Sequence, residues 1–374
     1  MRNWRSTNRA PRVQLPGATV IRDADNSPKL GLSGCRKFFT VKHYDQPDIS
    51  LDSWNLHIDG LVGHPQSLSL ADLQNRPRRE VDFTLECSGN TGLPFFIGGI
   101  GNAPRWGGTP LAPVLKRSAP QDQAIEVIFW GEDNGEVTIR DDSGITGPGA
   151  TGRVDPDATG GLDLTITEQF ARSMSLADAM SPDNLRCFEM NGASLPPDHG
   201  FPLRLIAPGW YGVANVKWLT RIELRDGRYA GRFMARDYVT IREEQQGGKT
   251  VWTFTNVRHA RLKSAPAKVT RRGAEYFVLG AAWGGSIDRV EVQVDGGAWQ
   301  RTRMKRMRAH GDKGFSWSFW TFDWGRVPSG RHTIRSRVFG NHGAVQPTPE
   351  DPYLASRRTY WENNGRITRT VDIV

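Results

Sequence analysis

The sequence predicts an α+β domain followed by an immunoglobulin-like β-sandwich, and three observations carry that reading. Strand-like and helix-like segments are mixed through the first two thirds of the chain. The last third is instead a series of short alternating segments at regular spacing, with Gly or Pro between them. At 374 residues the chain also exceeds what a single hydrophobic core ordinarily serves, so two domains are expected. We place the first at 1–250, with 1–35 as an N-terminal extension, and the sandwich at 251–374.

Each element has a local cause. Residues 53–61 set Trp54, Leu56, Ile58 and Leu61 among polar neighbours and begin as a period-two strand, and 68–73 reads as a short helix. Residues 81–86 alternate again and deliver Cys87 at the strand end. There Ser88, Gly89, Asn90, Thr91 and Gly92 turn the chain and let backbone approach a ligand closely. Segments 124–130 and 136–139 are strand candidates separated by a turn at 131–135. The polar, Gly- and Pro-rich stretch 144–161 is a surface insertion. A helical turn at 175–180 is capped by Ser173 or Ser175 and stopped by Pro182.

Segment 242–249, with two Glu, two Gln and two Gly, reads as the seam between domains. Beyond it, 276–279, 287–294, 299–304, 315–322 and 332–339 are strand-like. Val290, Val292 and Val294 fall on one face against Arg289, Glu291 and Gln293, and Asp295, Gly296 and Gly297 supply a hairpin turn.

Composition removes several function classes. A hydrophobic fraction of 37% with 13 Trp suffices for packed cores, which excludes a disordered or fibrous chain. The 49 Lys and Arg against 40 Asp and Glu leave a net charge of +9, with basic clusters at 76–79 and 301–308. No helix-turn-helix, zinc-finger spacing or aromatic ribonucleoprotein motif accompanies that charge, so it reads as a solvated basic face and nucleic acid is not expected. No apolar run reaches the length of a membrane span. Residues 1–30 are polar, Arg-bearing and Pro-broken, without a secretory or twin-arginine signal. The expectation is a cytoplasmic protein ahead of a periplasmic one, since a processed export form would read alike. Cys35, Cys87 and Cys187 are odd in number and widely spaced, which argues against a disulfide framework. Cys35 and Cys187 are read as small buried hydrophobes.

Two blocks carry chemistry. Cys87 lies in Leu85, Glu86, Cys87, Ser88, Gly89, Asn90, and a thiolate is a soft ligand suited to a redox metal. The second block runs from Asn191 through His199 and Arg204 to Val216, Lys217, Trp218 and Leu219. Arg204 and Lys217 stand in apolar strings, where a cation is costly to bury without an anion, so the pair favours a phosphate. Spacing alone does not bring Cys87 beside them.

In order and composition these blocks resemble the sulfite oxidase family of molybdenum-cofactor oxidoreductases. The resemblance rests on Cys87 to Asn90, Glu189 to Gly192, His199 to Arg204 and Val216 to Leu219. In the last third it rests on Trp283, Gly284, Gly285, the Asp295 turn, Gln346, Pro347 and Trp361, which resemble the family's dimerisation domain. It implies a sulfite-oxidase-type molybdopterin-binding domain carrying Mo-molybdopterin, with Cys87 as the thiolate ligand of molybdenum. His199, Arg204, Asn215, Val216 and Lys217 would hold the pterin and its phosphate. Phe39, Thr40, Val41, Lys42 and His43 match the early cofactor-binding stretch, and Asp133 matches an acidic contact.

Lys42 and Phe188 would fall with Cys87 at the catalytic centre, and there the sequence departs from true sulfite oxidases. Lys42 stands where the family has an arginine, Gly92 replaces another, Phe188 replaces a tyrosine, and Phe95 replaces the pocket tryptophan. Lys42 keeps a charge without the planar fork that fits an oxyanion, and Phe188 lacks a hydroxyl.

What the resemblance implies is oxygen-atom transfer at a small sulfur substrate such as sulfite. Electrons would pass to an external carrier such as a c-type cytochrome, and the subunits would form a homodimer. The alternatives are another sulfur compound, an N- or S-oxide, a cofactor-binding homologue without turnover, or an assembly protein built around its sandwich. No haem-attachment or nucleotide fingerprint is present, so neither haem nor flavin is expected on this chain.

Overall fold

The structure is a computed structural model that describes residues 20–22, 38–90, 100–139, 164–306 and 314–373. Cys35, Gly92, Phe95, the 144–161 stretch and most of the 1–35 extension lie outside the described residues. Among the described residues the chain is mostly sheet.

In chain order come β1 (Val20–Arg22), β2 (Leu56–Gly60), β3 (Gln66–Leu68), α1 (Leu70–Gln74), β4 (Arg79–Glu86), β5 (Ile100–Pro110) and α2 (Ala112–Arg117). They are followed by β6 (Glu126–Ile139), β7 (Leu164–Ser175), α3 (Leu176–Ala179), β8 (Leu185–Met190), β9 (Ala193–Ser194), β10 (Arg204–Ile206) and β11 (Leu219–Arg225). Two of these strand groups form sheets in the orders β3-β2-β11-β6-β7 and β10-β8-β5-β4.

The sheets pack because their strands alternate. Leu56, Ile58, Val127, Phe129, Ile222 and Leu224 from the first meet Phe188, Leu203 and Leu205 from the second in one core. The second sheet also buries its other face, where Val81, Phe83, Leu85, Trp106 and Cys187 cluster. Burial on both faces explains why β4 is continuously buried from Val81 to Glu86, although it is the last strand of its sheet. Cys187 is buried as expected, its Sγ donating to the Glu189 carbonyl at 3.1 Å.

The remaining elements are α4 (Arg232–Ala235), β12 (Val239–Gln246), β13 (Lys249–Asn256), β14 (Lys263–Arg272), β15 (Glu275–Trp283), β16 (Ile287–Val294) and β17 (Gln300–Arg301). After them come β18 (Arg303–Arg306), β19 (Ser318–Gly325), β20 (Gly330–Gly340), α5 (Pro352–Ala355) and β21 (Thr368–Ile373). Sheets β1-β14-β15-β19-β18 and β17-β16-β20-β21 enclose a second core that includes Val278, Val290, Val292, Trp320, Ile334 and Val338.

Several expectations are corrected. Helix content is smaller than an α+β reading implies, because α1 to α5 are only four to six residues long. The two strands expected at 124–130 and 136–139 are one strand, β6, whose register against β7 jumps between Trp130 and Asn134. A bulge, not a turn, absorbs the extra residues. The seam expected at 242–249 lies within the β12–β13 hairpin and includes its tip. Gly247 and Gly248 both adopt positive φ, 59° and 76°, as a two-residue hairpin turn requires.

The strand expected at 299–304 divides at Thr302, with β17 on β16 and β18 on β19. Thr302 donates through both N and Oγ1 to the Val290 carbonyl, at 3.0 and 2.9 Å, which holds the crossing between sheets. The cap of α3 is Ser175, whose Oγ accepts from Asp178 N at 3.0 Å. Finally, β1 pairs in parallel with β14, so residues 20–22 join a C-terminal sheet.

Candidate active site and cofactor cleft

A cleft of about 630 Å³, its open mouth included, lies where the end of β4, the 38–43 segment and the 198–217 loops converge. Phe39, Thr40, Val41, Lys42, His43, Cys87, Asp133, His199, Arg204, Asn215 and Lys217 all line it. Two expected residues do not. Phe188 faces the core beside Leu203 and Leu205, and Val216 is core as well.

Cys87 ends β4 at 7% exposure, and Asn90 N donates to its carbonyl at 2.9 Å to close the turn. Burial pushes its thiol up to about 11, Glu86 adds to that, and the Gly89 N–H and Lys263 oppose it. Burial thus favours the neutral thiol, and a bound metal cation would favour the thiolate. The C-terminal strands clamp this loop. Lys263 of β14 donates to Glu86 Oε1 at 2.7 Å and to the Asn90 carbonyl at 3.3 Å, and the Asn90 amide donates to the same Glu86 oxygen at 2.8 Å. Glu362 N donates to the Ser88 carbonyl at 2.8 Å. Gly89 fits closely there, since a Cβ would sit 3.2 Å from Tyr360 and 3.4 Å from Trp361, and the Tyr360 ring would have to shift by a few tenths of an ångström.

Opposite the thiol, a turn at Pro197–His199 ends at Gly200, whose φ of 106° favours glycine. Arg204 donates to the carbonyls of His199 and Asn215 at 2.9 and 3.1 Å and lies 5.0 Å from the Trp106 ring centre. Its buried Nε has no partner. Lys217 donates to the Asp198 carbonyl at 3.2 Å, and burial together with Arg204 lowers its pKa to about 7. Asp133, 4% exposed, keeps an unpartnered Oδ1, and burial raises its carboxyl to about 7 against the pull of Lys217. The Asn215 side chain is engaged with Ala207 N and the Tyr211 carbonyl, so it supports the loop while its own carbonyl holds Arg204.

The cleft thus offers two cations held by carbonyls, with the Arg204 Nε–H unpartnered among the described residues. That donor set fits an anionic phosphate. Among the described residues no group of three or more His, Cys, Asp or Glu could hold a metal by itself. A single thiol suits a metal whose other ligands belong to an organic cofactor.

Lys42 pairs with Asp198 at 2.9 Å near the mouth. His43 Nε2 and Tyr238 Oη share a hydrogen bond of 2.6 Å, and burial plus Lys217 lowers His43 to about 3, so its ring is neutral. Tyr238, Phe38, Phe170 and Asp198 line the cleft and were not expected from the sequence. Asp198 was legible as the neighbour of His199. Nothing in the spacing signals Tyr238, which brings to the cleft a hydroxyl of the kind that Phe188 lacks.

Comparison with known proteins agrees with this geometry. The family model "Oxidoreductase molybdopterin binding domain" matches residues 43–148 and 149–233. Sulfite oxidase of Gallus gallus is 32% identical over 312 residues, covering 76% of this chain and 61% of that protein. Mitochondrial sulfite oxidase of Homo sapiens is 30% identical over 322 residues, covering 79% of this chain and 53% of that protein, so the chain spans about half that relative's length. The crystal structure of the sulfane dehydrogenase SoxCD from Paracoccus pantotrophus superposes with a TM-score of 0.71 at 22% identity, covering 96% of this chain and 90% of that one. Fold, cleft and family model together define a molybdopterin-binding oxidoreductase domain. The chain belongs to the sulfite oxidase family of molybdenum-cofactor enzymes, and the cofactor of that family is Mo-molybdopterin.

Proposed function

We propose that the protein transfers an oxygen atom at a small sulfur substrate such as sulfite and passes the electrons to an external carrier such as a c-type cytochrome. The observation that carries this reading is the convergence of Cys87 with the buried Arg204 and the half-buried Lys217 in one cleft. When bound, the cofactor supplies two-electron redox chemistry and an exchangeable oxygen.

The chain's own residues do the rest. Cys87 would ligate the metal, Arg204 and Lys217 would neutralise the phosphate, and the 39–43 segment would cover the pterin. Lys42, oriented by Asp198, would place positive charge at the mouth for an anionic substrate. The neutral His43 and its Tyr238 partner would orient a polar group without adding charge. The two-sheet C-terminal unit is read as the immunoglobulin-like dimerisation domain from 251 onward. A monomer in light scattering at micromolar concentration would contradict that.

A second reading, turnover of another sulfur compound or of an N- or S-oxide, is favoured by two observations. Phe188 contributes no hydroxyl and faces away from the cleft, while Asp198 already engages Lys42. Metal and pterin analysis followed by dye-linked turnover tests both readings. Bound molybdenum with sulfite oxidation supports the first, turnover of other substrates alone supports the second, and protein without molybdenum or pterin sinks both. Among the described residues no helix is long and apolar enough to cross a membrane. Either compartment, cytoplasm first and periplasm second, suits a carrier-linked enzyme.

The cleft should also lose anion affinity as pH rises. In the ligand-free protein Lys217 gives up its proton and Asp133 gains its charge near pH 7, so both changes remove positive charge in the same direction. Sulfate, which does not titrate in this range, should bind with constant affinity below about pH 6 and weaken by roughly tenfold per unit above 7. Calorimetry showing equal affinity at pH 6 and 9 would refute the assignment.

A further inference from the structure

Arg186, in the middle of β8, is a cation the cofactor site does not use. Strand alternation points Leu185 and Cys187 into the core with Val81 and Trp106, and turns Arg186 with Phe188 toward the larger core between the sheets. Arg186 is 1% exposed there. Among the described residues its one hydrogen bond runs from Nη2 to the Pro110 carbonyl at 3.2 Å, and Nε and Nη1 have no partner. Directly opposite in register on β5 stands Thr109, also 1% exposed, whose Oγ1 has no partner either. Paired positions put both side chains on one face within a few ångströms.

The other buried cations are better supplied. Lys263 has Glu86, Arg172 donates to the carbonyls of Phe233 and Val257, and Arg204 has two carbonyls and the cleft. Burial, and after it the charge of Arg76, lowers the guanidinium to about 9, still protonated at neutral pH. A buried unpaired charge costs several kcal/mol, and here the Nε and Nη1 groups of Arg186 and the Thr109 hydroxyl lack partners beside a single carbonyl. A water would accept from one or two of them but would need acceptors for its own hydrogens. An acceptor-only ligand answers both the charge and the donors.

We propose that Arg186 and Thr109 bind a single halide-sized inorganic anion, chloride, between the two sheets of the cofactor-binding unit. This site is separate from the cofactor cleft and does not depend on the reaction assigned to it.

Thermal unfolding of the full chain at constant ionic strength, in sodium chloride against sodium gluconate, tests the proposal. Chloride and bromide should raise Tm saturably, on the order of 5 °C at a hundredfold excess over Kd, and gluconate should not. Arg186→Met should remove the dependence. Thr109→Val should weaken the chloride midpoint about tenfold, and Lys217→Met, which alters only the cleft, should keep it. A bromide-soaked crystal should show anomalous density beside the Arg186 guanidinium. Equal Tm in chloride and gluconate, an undiminished chloride effect in Arg186→Met, or bromide bound only elsewhere would each overturn the site. If Arg186→Met does not fold, Thr109→Val and the bromide position decide the matter.

Discussion

Cys87→Ser is expected to lower molybdenum-dependent turnover by more than about a hundredfold. Loss of a supporting contact around a metal already costs roughly 10- to 100-fold, and this change removes a direct ligand. Serine keeps the size and the turn, in which Asn90 N donates to the residue 87 carbonyl, so the fold should survive. What is lost is a soft, polarisable donor. Even the thiol is held up to about 11 by burial and Glu86, and an alcohol is far harder to deprotonate in the same surroundings. Dye-linked turnover with metal analysis checks this. Full activity with an unchanged metal spectrum would remove Cys87 from the centre of the mechanism.

Lys263→Met should be the most destabilising single change near the site, by about 3–5 kcal/mol. The pair Lys263–Glu86 is 2.7 Å long with side chains 1% and 0% exposed, so the variant strands a carboxylate in a dry interior. Glu86 Oε2 already lacks a partner, which leaves little to absorb the loss. A fall in Tm of roughly 10 °C is expected. Replacing both partners by apolar residues should recover much of it, because the desolvation penalty of both charges disappears together. A Lys263→Met protein within 1 kcal/mol of the parent in denaturant titration would show that the pair contributes little. The consequence reaches the thiol, since the lysine also donates to the Asn90 carbonyl in the loop that follows Cys87.

Local chemistry was readable where the physics is local. The alternation of 53–61 and 81–86 is a period-two signal, and strands β2 and β4 lie within or across those segments. Asp295 and Gly296 do form a turn with positive φ, 50° and 72°. Misreadings arose where one local pattern serves two tertiary outcomes. Gly131 to Gly135 has turn composition but sits in a bulge because β7 continues past it. Gly247 and Gly248 look like linker but tip a hairpin, because their flanks pair from Val239 to Asn256.

By itself the sequence singled out the candidates for the chemistry: a thiol at a strand end, and cations in apolar strings that favour an anion. Their order along the chain was enough to reach the family. Only the tertiary structure decided which of them meet. It gathers Cys87, Arg204 and Lys217 in one cleft, turns Phe188 into the core, adds Tyr238, and ties the thiol loop to Lys263 from a sheet 177 positions away in the chain. The physical reason is that side-chain type is a property of one position. Whether a buried charge finds its partner depends on long-range strand register, which no local pattern encodes.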